Sequence, residues 1–176
     1  MKDNIMISSV VFIVFPFCLS IAALNDLFSA TIPNRVSLVM ISSFLFIAPL
    51  IGLNFFSISC HILVALTVFV ICFVFFIVNI MGGGDAKFLT SASLWFGWDN
   101  SLFEFMLFVS FVGGVLAFFI MLMRLASRIF HISIPQSFLI KDKIPYGIAI
   151  AIGGFMTYPD SYLFKIALDQ ISDFMV

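Results

Sequence analysis

Apolar segments alternate with short polar segments along this chain. The predominantly apolar segments are residues 5–24, 36–53, 60–80, 86–98, 102–123 and 144–159, of which 86–98 is the shortest. About 20 consecutive apolar residues in a helix cross the roughly 30 Å hydrocarbon core of a bilayer. The pattern therefore predicts an all-α integral membrane protein with about six transmembrane helices. Residues 5–24 exceed the apolar core of a signal peptide, which favours a retained helix.

The composition supports the bilayer as the solvent of this chain. Hydrophobic residues make up 63% of the 176 residues and charged residues only 10%, whereas about a quarter of a soluble domain is charged. No polar stretch is long enough for a second, soluble domain, so we expect a single transmembrane domain over residues 1–176. The net charge of −1 argues against a nucleic-acid partner.

The polar segments predict where the helices end. Residues 26–35 form a short connection in which Ile32 precedes a proline and is biased away from helix. Pro33 suits the first turn of the next helix. Residues 54–59 predict a turn, and residues 124–143 predict the longest polar connection. Gly82 to Asp85 predict a helix break, with Asp85 as the N-cap of the following helix.

Aromatic and small residues add detail to the later segments. Trp95 and Trp98 have the spacing of residues at a membrane–water interface. The pairs Gly113-Gly114 and Gly153-Gly154 allow another helix to approach closely.

Residues 161–176 predict a helix lying in the membrane interface. One face of that helix carries charged residues, and the other is apolar. The charged residues are Lys165, Asp169 and Asp173, and the apolar ones are Phe164, Ala167, Leu168 and Ile171.

Basic residues predict the orientation of the spans. If all six segments cross, the connections at 25–35, 81–87 and 124–143 share one side. Lys and Arg favour the cytoplasmic side, so this side is expected to be cytoplasmic, with both termini outside. Asp26 and Asp85 then fall on the same cytoplasmic face. Six of the eight Lys and Arg lie on this side, namely Arg35, Lys87, Arg124, Arg128, Lys141 and Lys143.

Asp26 and Asp85 are the candidate chemical groups of the chain. Ionisable groups at membrane depth are costly and usually functional. Two adjacent carboxyl groups cannot both ionise readily, so the pair would hold one proton. Such a pair can activate water for aspartic proteolysis, which requires no metal. Each acid taken alone is also compatible with a structural role, Asp85 as a helix cap and Asp26 as an acid at the interface.

The remaining reactive residue types give no second site. The cysteines Cys18, Cys60 and Cys72 lie in or beside apolar runs and lack metal-ligand spacing. His61 and His131 are isolated, and we expect each to be a packed or interfacial imidazole. No cofactor and no metal are predicted.

Three motifs carry a resemblance to a known family. Gly82-x-Gly84-Asp85, continued by Ala86-Lys87-Phe88, matches the GxGD motif in its GxGDxK(L/F) form. Asp26 followed by Ile32-Pro33-Asn34-Arg35 matches a first-aspartate segment, and residues 143–149, which include Pro145 and Gly147, match an (I/L)P(Y/F)GxA element. The chain thereby resembles the type IV prepilin peptidases, which are GxGD intramembrane aspartic proteases.

The resemblance implies an activity and a set of site residues. It implies removal of a short, basic leader from prepilins or pseudopilins at the cytoplasmic face of the bacterial inner membrane. Asp26 and Asp85 would form the catalytic dyad, and which of them acts as base is left open. Prepilin and membrane lipid would be the partners, and a homo-oligomer is compatible with the sequence. The motif residues expected to support the dyad are Gly82, Gly84, Lys87, Pro33, Asn34, Pro145 and Gly147.

One departure from the family pattern narrows the prediction. Larger members carry a cytoplasmic insertion with paired CxxC cysteines, linked to methylation of the new N-terminus. This chain has no CxxC pair. It is therefore similar to the short enzymes of Flp/Tad-type pilus systems, and we expect a peptidase without a methyltransferase region.

Three other functions are weighed against this one. A protease of the signal-peptide-peptidase or presenilin kind would place its first acid in a YD motif, whereas Asn25 precedes Asp26 here. A small proton-coupled transporter could use both acids as proton carriers, but would not process substrate in detergent without a gradient. A passive assembly subunit would tolerate the loss of both acids.

Overall fold

The chain folds into a bundle of helices joined by short connections. The computed structural model describes residues 2–130 and 145–175, and all regular secondary structure in this part is helical. The helices are α1 (Lys2–Ser29), α2 (Asn34–Leu50), α3 (Phe55–Ile77), α4 (Gly83–Phe96), α5 (Asn100–Phe130), α6 (Tyr146–Thr157) and α7 (Tyr162–Met175), with a 3-10 helix (Tyr158–Asp160) between α6 and α7.

The helices match the predicted apolar segments one by one. By length and composition, α1, α3 and α5 can each cross a membrane, and α2 is a shorter apolar helix. Helices α4 and α6 lie where the fourth and sixth spans were predicted. The prediction of an all-α integral membrane protein is confirmed.

Two predicted connections are wrong in part because polar residues continue or start a helix. Asn54 is the N-cap of α3, and its side chain accepts a hydrogen bond from Ser57 N at 2.7 Å, so α3 begins inside the predicted turn at 54–59. An N-cap side chain satisfies one of the unpaired N–H groups at a helix start. Helix α5 continues through Arg124 to Phe130, and residues 131–144 of the predicted connection lie outside the described residues.

Helix α4 is the most enclosed helix near the centre of the bundle. It packs against α3 on one side and α2 on another. Trp95 is fully buried, and its Nε1–H donates to Met40 O at 3.1 Å, whereas Trp98 is 73% exposed. The prediction that Trp95 lies at the membrane interface is therefore wrong. A buried indole N–H needs an acceptor, and α2 supplies it.

Trp95 should therefore contribute far more to stability than Trp98. Trp95→Phe removes the hydrogen bond to Met40 O and leaves a gap, and we expect it to lower the free energy of unfolding by about 1–3 kcal/mol. Trp98→Phe is the matched control, and its effect should stay within about 0.5 kcal/mol. Thermal unfolding in detergent, followed by circular dichroism, measures both. Equal losses in the two variants would contradict a buried, hydrogen-bonded Trp95.

Glycines let α6 pack tightly between α1 and α5. A Cβ added to Gly153 would lie 2.8 Å from Val109 Cγ2 of α5, and one added to Gly154 would lie 2.7 Å from Leu19 Cδ1 of α1. One added to Gly113 would lie 3.3 Å from the ring of Tyr146, but one added to Gly114 would meet no atom within 4 Å. Close helix approach is thus confirmed for three of these glycines and wrong for Gly114.

Helix α7 packs across one end of the bundle, beside the start of α1 and the end of α2. Gln170 Oε1 accepts a hydrogen bond from Ser8 Oγ at 2.8 Å, and Gln170 Nε2 donates to Ile51 O at 2.8 Å. Ala167 is buried, as predicted for the apolar face, but Leu168 is 51% exposed. Ala167 therefore packs on the bundle, whereas Leu168 lies on its surface.

Candidate active site

Asp26 and Asp85 lie at the same end of the bundle, which we call the aspartate end. Helix α1 finishes there and α4 begins there. The start of α4 packs beside the α1–α2 connection, and Lys87 Nζ donates to Asn34 Oδ1 at 3.2 Å across the two elements. Two predicted spans, 36–53 and 60–80, separate Asp26 from Asp85, and an even number of crossings returns the chain to the same side. The sequence therefore predicts this shared end, and the helices have that arrangement.

Asp26 belongs to the last turn of α1, not to the connection predicted at 26–35. Its backbone O accepts a hydrogen bond from Ala30 N at 2.9 Å. The helix ends after this bond, at Ala30, whose φ of 48° is in the left-handed region. The side chain of Asp26 is only 4% exposed, so the carboxyl group is held within the bundle.

The Asp26 carboxyl group meets the start of α6. Gly147 N donates to Asp26 Oδ2 at 2.7 Å. The first N–H groups of a helix have no partner within the helix, and Pro145, the N-cap of α6, makes no side-chain capping bond. Asp26 therefore caps α6 from a distant part of the sequence. The positive end of the helix dipole stabilises negative charge at this position.

Asp85 lies in the first turn of α4. The N-cap is Gly82, which has no side chain that could cap the helix, so the prediction that Asp85 is the N-cap is wrong. The Asp85 side chain instead turns back over Gly82, where an added Cβ would lie 2.7 Å from Asp85 Oδ2. A glycine at this position therefore leaves room for the carboxyl group at the positive end of the α4 dipole.

The break before α4 is made by Asn79, not by the three glycines. Asn79 has a φ of 58°, and it ends α3 with hydrogen bonds from Asn79 N to Phe76 O at 3.0 Å and from Ile80 N to Phe75 O at 2.9 Å. This pair of bonds is the Schellman arrangement that closes helix C-termini. Gly83 and Gly84 are already helical. The observed break between α3 and α4 therefore lies a few residues before the predicted break at 82–85.

Ile32 connects the surroundings of the two acids. A Cβ added to Gly84 would lie 3.6 Å from Ile32 Cβ, and one added to Gly147 would lie 2.8 Å from Ile32 Cδ1. Ile32 is 8% exposed and lies outside any helix, as its position before a proline predicts. The residue next to Asp85 and the residue bound to Asp26 therefore contact one side chain.

Sequence reasoning did not select Ile32 as a site residue. Its place in the Ile-Pro-Asn segment was the available signal, but an apolar residue in an apolar chain suggests no chemistry. Only its contacts with Gly84 and Gly147 show that it packs between the surroundings of the two acids.

The other predicted residues also lie at the aspartate end. Pro33 is the N-cap of α2 rather than a residue of its first turn. Asn34 and Lys87 are exposed and hydrogen-bonded to each other. Pro145 is buried at the start of α6. Lys143 and Ile144 of the same motif lie outside the described residues.

Cys18 and Cys72 are buried in the bundle, and Cys60 is half-buried. In the described residues, no three His, Cys, Asp or Glu side chains gather in a group that could hold a metal ion. His61 is buried, with Nδ1 2.8 Å from Leu94 O, which confirms a packed imidazole. His131 lies outside the described residues.

Comparison with known proteins connects this arrangement to a family. The family model of the type IV leader peptidases matches residues 13–120, a span that contains α1 from Ile13 onward, both acids and most of α5. No curated protein and no solved structure matches the chain. Since the matched span covers more than half of the 176 residues, the chain belongs to the type IV leader peptidase family.

Proposed function

We propose that this protein is an aspartic leader peptidase in which Asp26 and Asp85 form the catalytic dyad. The carboxyl pair shares one proton. The ionised carboxylate takes a proton from a water molecule, and that water attacks the carbonyl carbon of the scissile peptide bond. The protonated carboxyl group donates its proton toward the carbonyl oxygen, and the leaving amine is protonated as the bond breaks.

One observation carries this proposal. Gly147 N donates a hydrogen bond to Asp26. Gly147 also borders Ile32, and so does Gly84, the residue directly before Asp85. Residues from three distant segments thus meet beside both acids at one end of the bundle. Ionisable groups in a membrane bundle mark functional sites by default, and the family is one of peptidases.

The substrate proposed is a type IV prepilin or pseudopilin, cut between its basic leader and its hydrophobic helix. The Flp class of prepilin is favoured because the three cysteines include no CxxC pair. The aspartate end is proposed to face the cytoplasm of the inner membrane, since Arg35, Lys87 and Arg124 belong to this end and basic residues favour that side.

Cleavage in detergent tests the proposal directly. Purified protein in micelles should remove the leader from a purified Flp-class prepilin without any ion gradient. Mass spectrometry of the product identifies the bond that was cut. A precursor that stays intact after prolonged incubation would contradict the peptidase and leave the transporter and assembly-subunit alternatives.

A further inference from the structure

A groove separates α3 from α5 on the outside of the bundle. Helix α3 packs mainly on α4, and α5 mainly on α6. The groove between them has a volume of about 890 Å³, and Leu89 of α4 contributes to its floor. Both helices contribute side chains to the walls of this space.

The walls of the groove favour an occupant whose backbone is already hydrogen-bonded. They are mostly apolar, and their hydroxyl groups come from Thr67, Ser110 and Tyr146; Thr67 Oγ1 already donates to Leu63 O at 2.9 Å. An extended peptide in this place would leave backbone N–H and C=O groups unpaired within the bilayer, which is costly. A helix satisfies its own backbone. Small side chains such as Cys72 and Ser110 let a helix approach closely.

The groove is long enough for about half of a transmembrane helix, which spans roughly 30 Å of hydrocarbon. On α3 the lining residues run from Val64 to Phe75. At 1.5 Å per residue this stripe is about 17 Å long, equal to roughly three turns of a helix. Trp98 and Asn100 mark the far end of the groove, where α4 finishes and α5 begins.

The other end of the groove opens at the candidate active site. Ile80, Met81 and Tyr146 line it there. Met81 directly precedes Gly82, the N-cap of the Asp85 helix. Tyr146 directly precedes Gly147, whose N–H binds Asp26. A helix in the groove would therefore direct one of its ends at both acids.

We propose that this groove binds the hydrophobic helix of the substrate, with the N-terminal end of that helix at the aspartate end. The proposal rests on the proposed function, since a leader peptidase cuts just before such a helix. Binding along α3 and α5 would hold the scissile bond at the acids and leave the leader outside the bilayer. The groove thus determines which bond is presented for cleavage.

Val68 and Val70 form a matched pair for testing the groove. Both are valines of α3, but Val68 lines the groove, whereas Val70 is 60% exposed on another face. A photo-crosslinking amino acid is placed at either position in the full-length chain, together with Asp85→Asn, and irradiated in membranes with co-expressed prepilin. Position 68 should give at least about tenfold more prepilin adduct than position 70. Equal adducts, adducts with a second copy of the chain, or lipid adducts alone would each overturn the proposal.

A steric variant gives an independent measurement. Val68→Trp fills part of the groove and should slow leader removal about tenfold, while Val70→Trp should stay within about twofold. Normal cleavage by Val68→Trp would contradict docking in the groove. If the unmodified protein fails to cleave any prepilin, the proposed function fails, and the crosslinking result still decides whether the groove binds a hydrophobic helix.

Discussion

Replacing either Asp26 or Asp85 by Asn should abolish most leader removal, with a loss of about 10²–10⁴-fold in rate. An amide has nearly the size of a carboxyl group but cannot exchange the proton that the mechanism moves. With one acid left, one of two steps has no acid to perform it: activation of the water or protonation of the carbonyl oxygen. The rate is measured in detergent as the fraction of prepilin that has lost its leader over time.

The Asn variants also separate catalysis from helix capping. In Asp26→Asn, the amide oxygen can still accept the hydrogen bond that Gly147 N donates to Asp26 Oδ2. Capping of α6 is therefore preserved, and the variant should fold normally. Processing at a nearly normal rate would mean that Asp26 only caps α6.

Asp169→Asn is the matched control for both substitutions. Asp169 is exposed on α7, which packs at the end of the bundle opposite the acids. Its replacement should leave cleavage within about twofold, because surface changes away from special features have small effects. A loss as large as that in Asp85→Asn would show that the assay reports general damage to the protein.

Gly147→Ala should lower leader removal by about 10²-fold while the protein stays folded. The added Cβ would lie 2.8 Å from both Asp26 Oδ2 and Ile32 Cδ1 and 3.0 Å from Asp26 Cβ. These distances are far below ordinary van der Waals contact, so α6 or the carboxyl group must move. A shift of about 1 Å in a positioned group is enough for a loss of this size.

Gly114→Ala provides the control for Gly147→Ala. It makes the same change, glycine to alanine within a helix, but a Cβ at Gly114 meets no atom within 4 Å. Its activity should match that of the unmodified protein, and its helix should be slightly more stable, since alanine is the better helix former. Equal activity in both variants would show that the contact between Gly147 and Asp26 does not position the acid.

The two predictions distinguish the chemical from the geometric role of the aspartate end. The Asn variants remove a transferable proton and leave the packing intact, whereas Gly147→Ala leaves both carboxyl groups and changes only where one of them lies. A peptidase requires both. A passive assembly subunit would tolerate all three substitutions, provided that the bundle remains folded.

The sequence already contains the helix order and the shared end of the two acids. Span lengths and polar connections are local properties of the chain, and the number of crossings between Asp26 and Asp85 follows from them. The exact C-terminal ends of α1 and α3 were harder to predict. Ala30 and Asn79, which end these helices, adopt left-handed φ values, and a glycine at either position would have indicated the helix end more clearly. The polar run from Arg124 onward likewise reads as a connection, although α5 continues through it.

The sequence by itself determined that this is a helical membrane protein with two acids at one end, because hydrophobicity and span length act locally. Only the tertiary structure decided which neighbours those acids have: the bond between Gly147 N and Asp26 joins residues 121 positions apart. It also decided that Trp95 is buried and that α3 and α5 border an open groove. The physical reason is that lipid and protein interior are both apolar. Hydrophobic patterning therefore cannot tell which face of a membrane helix meets another helix.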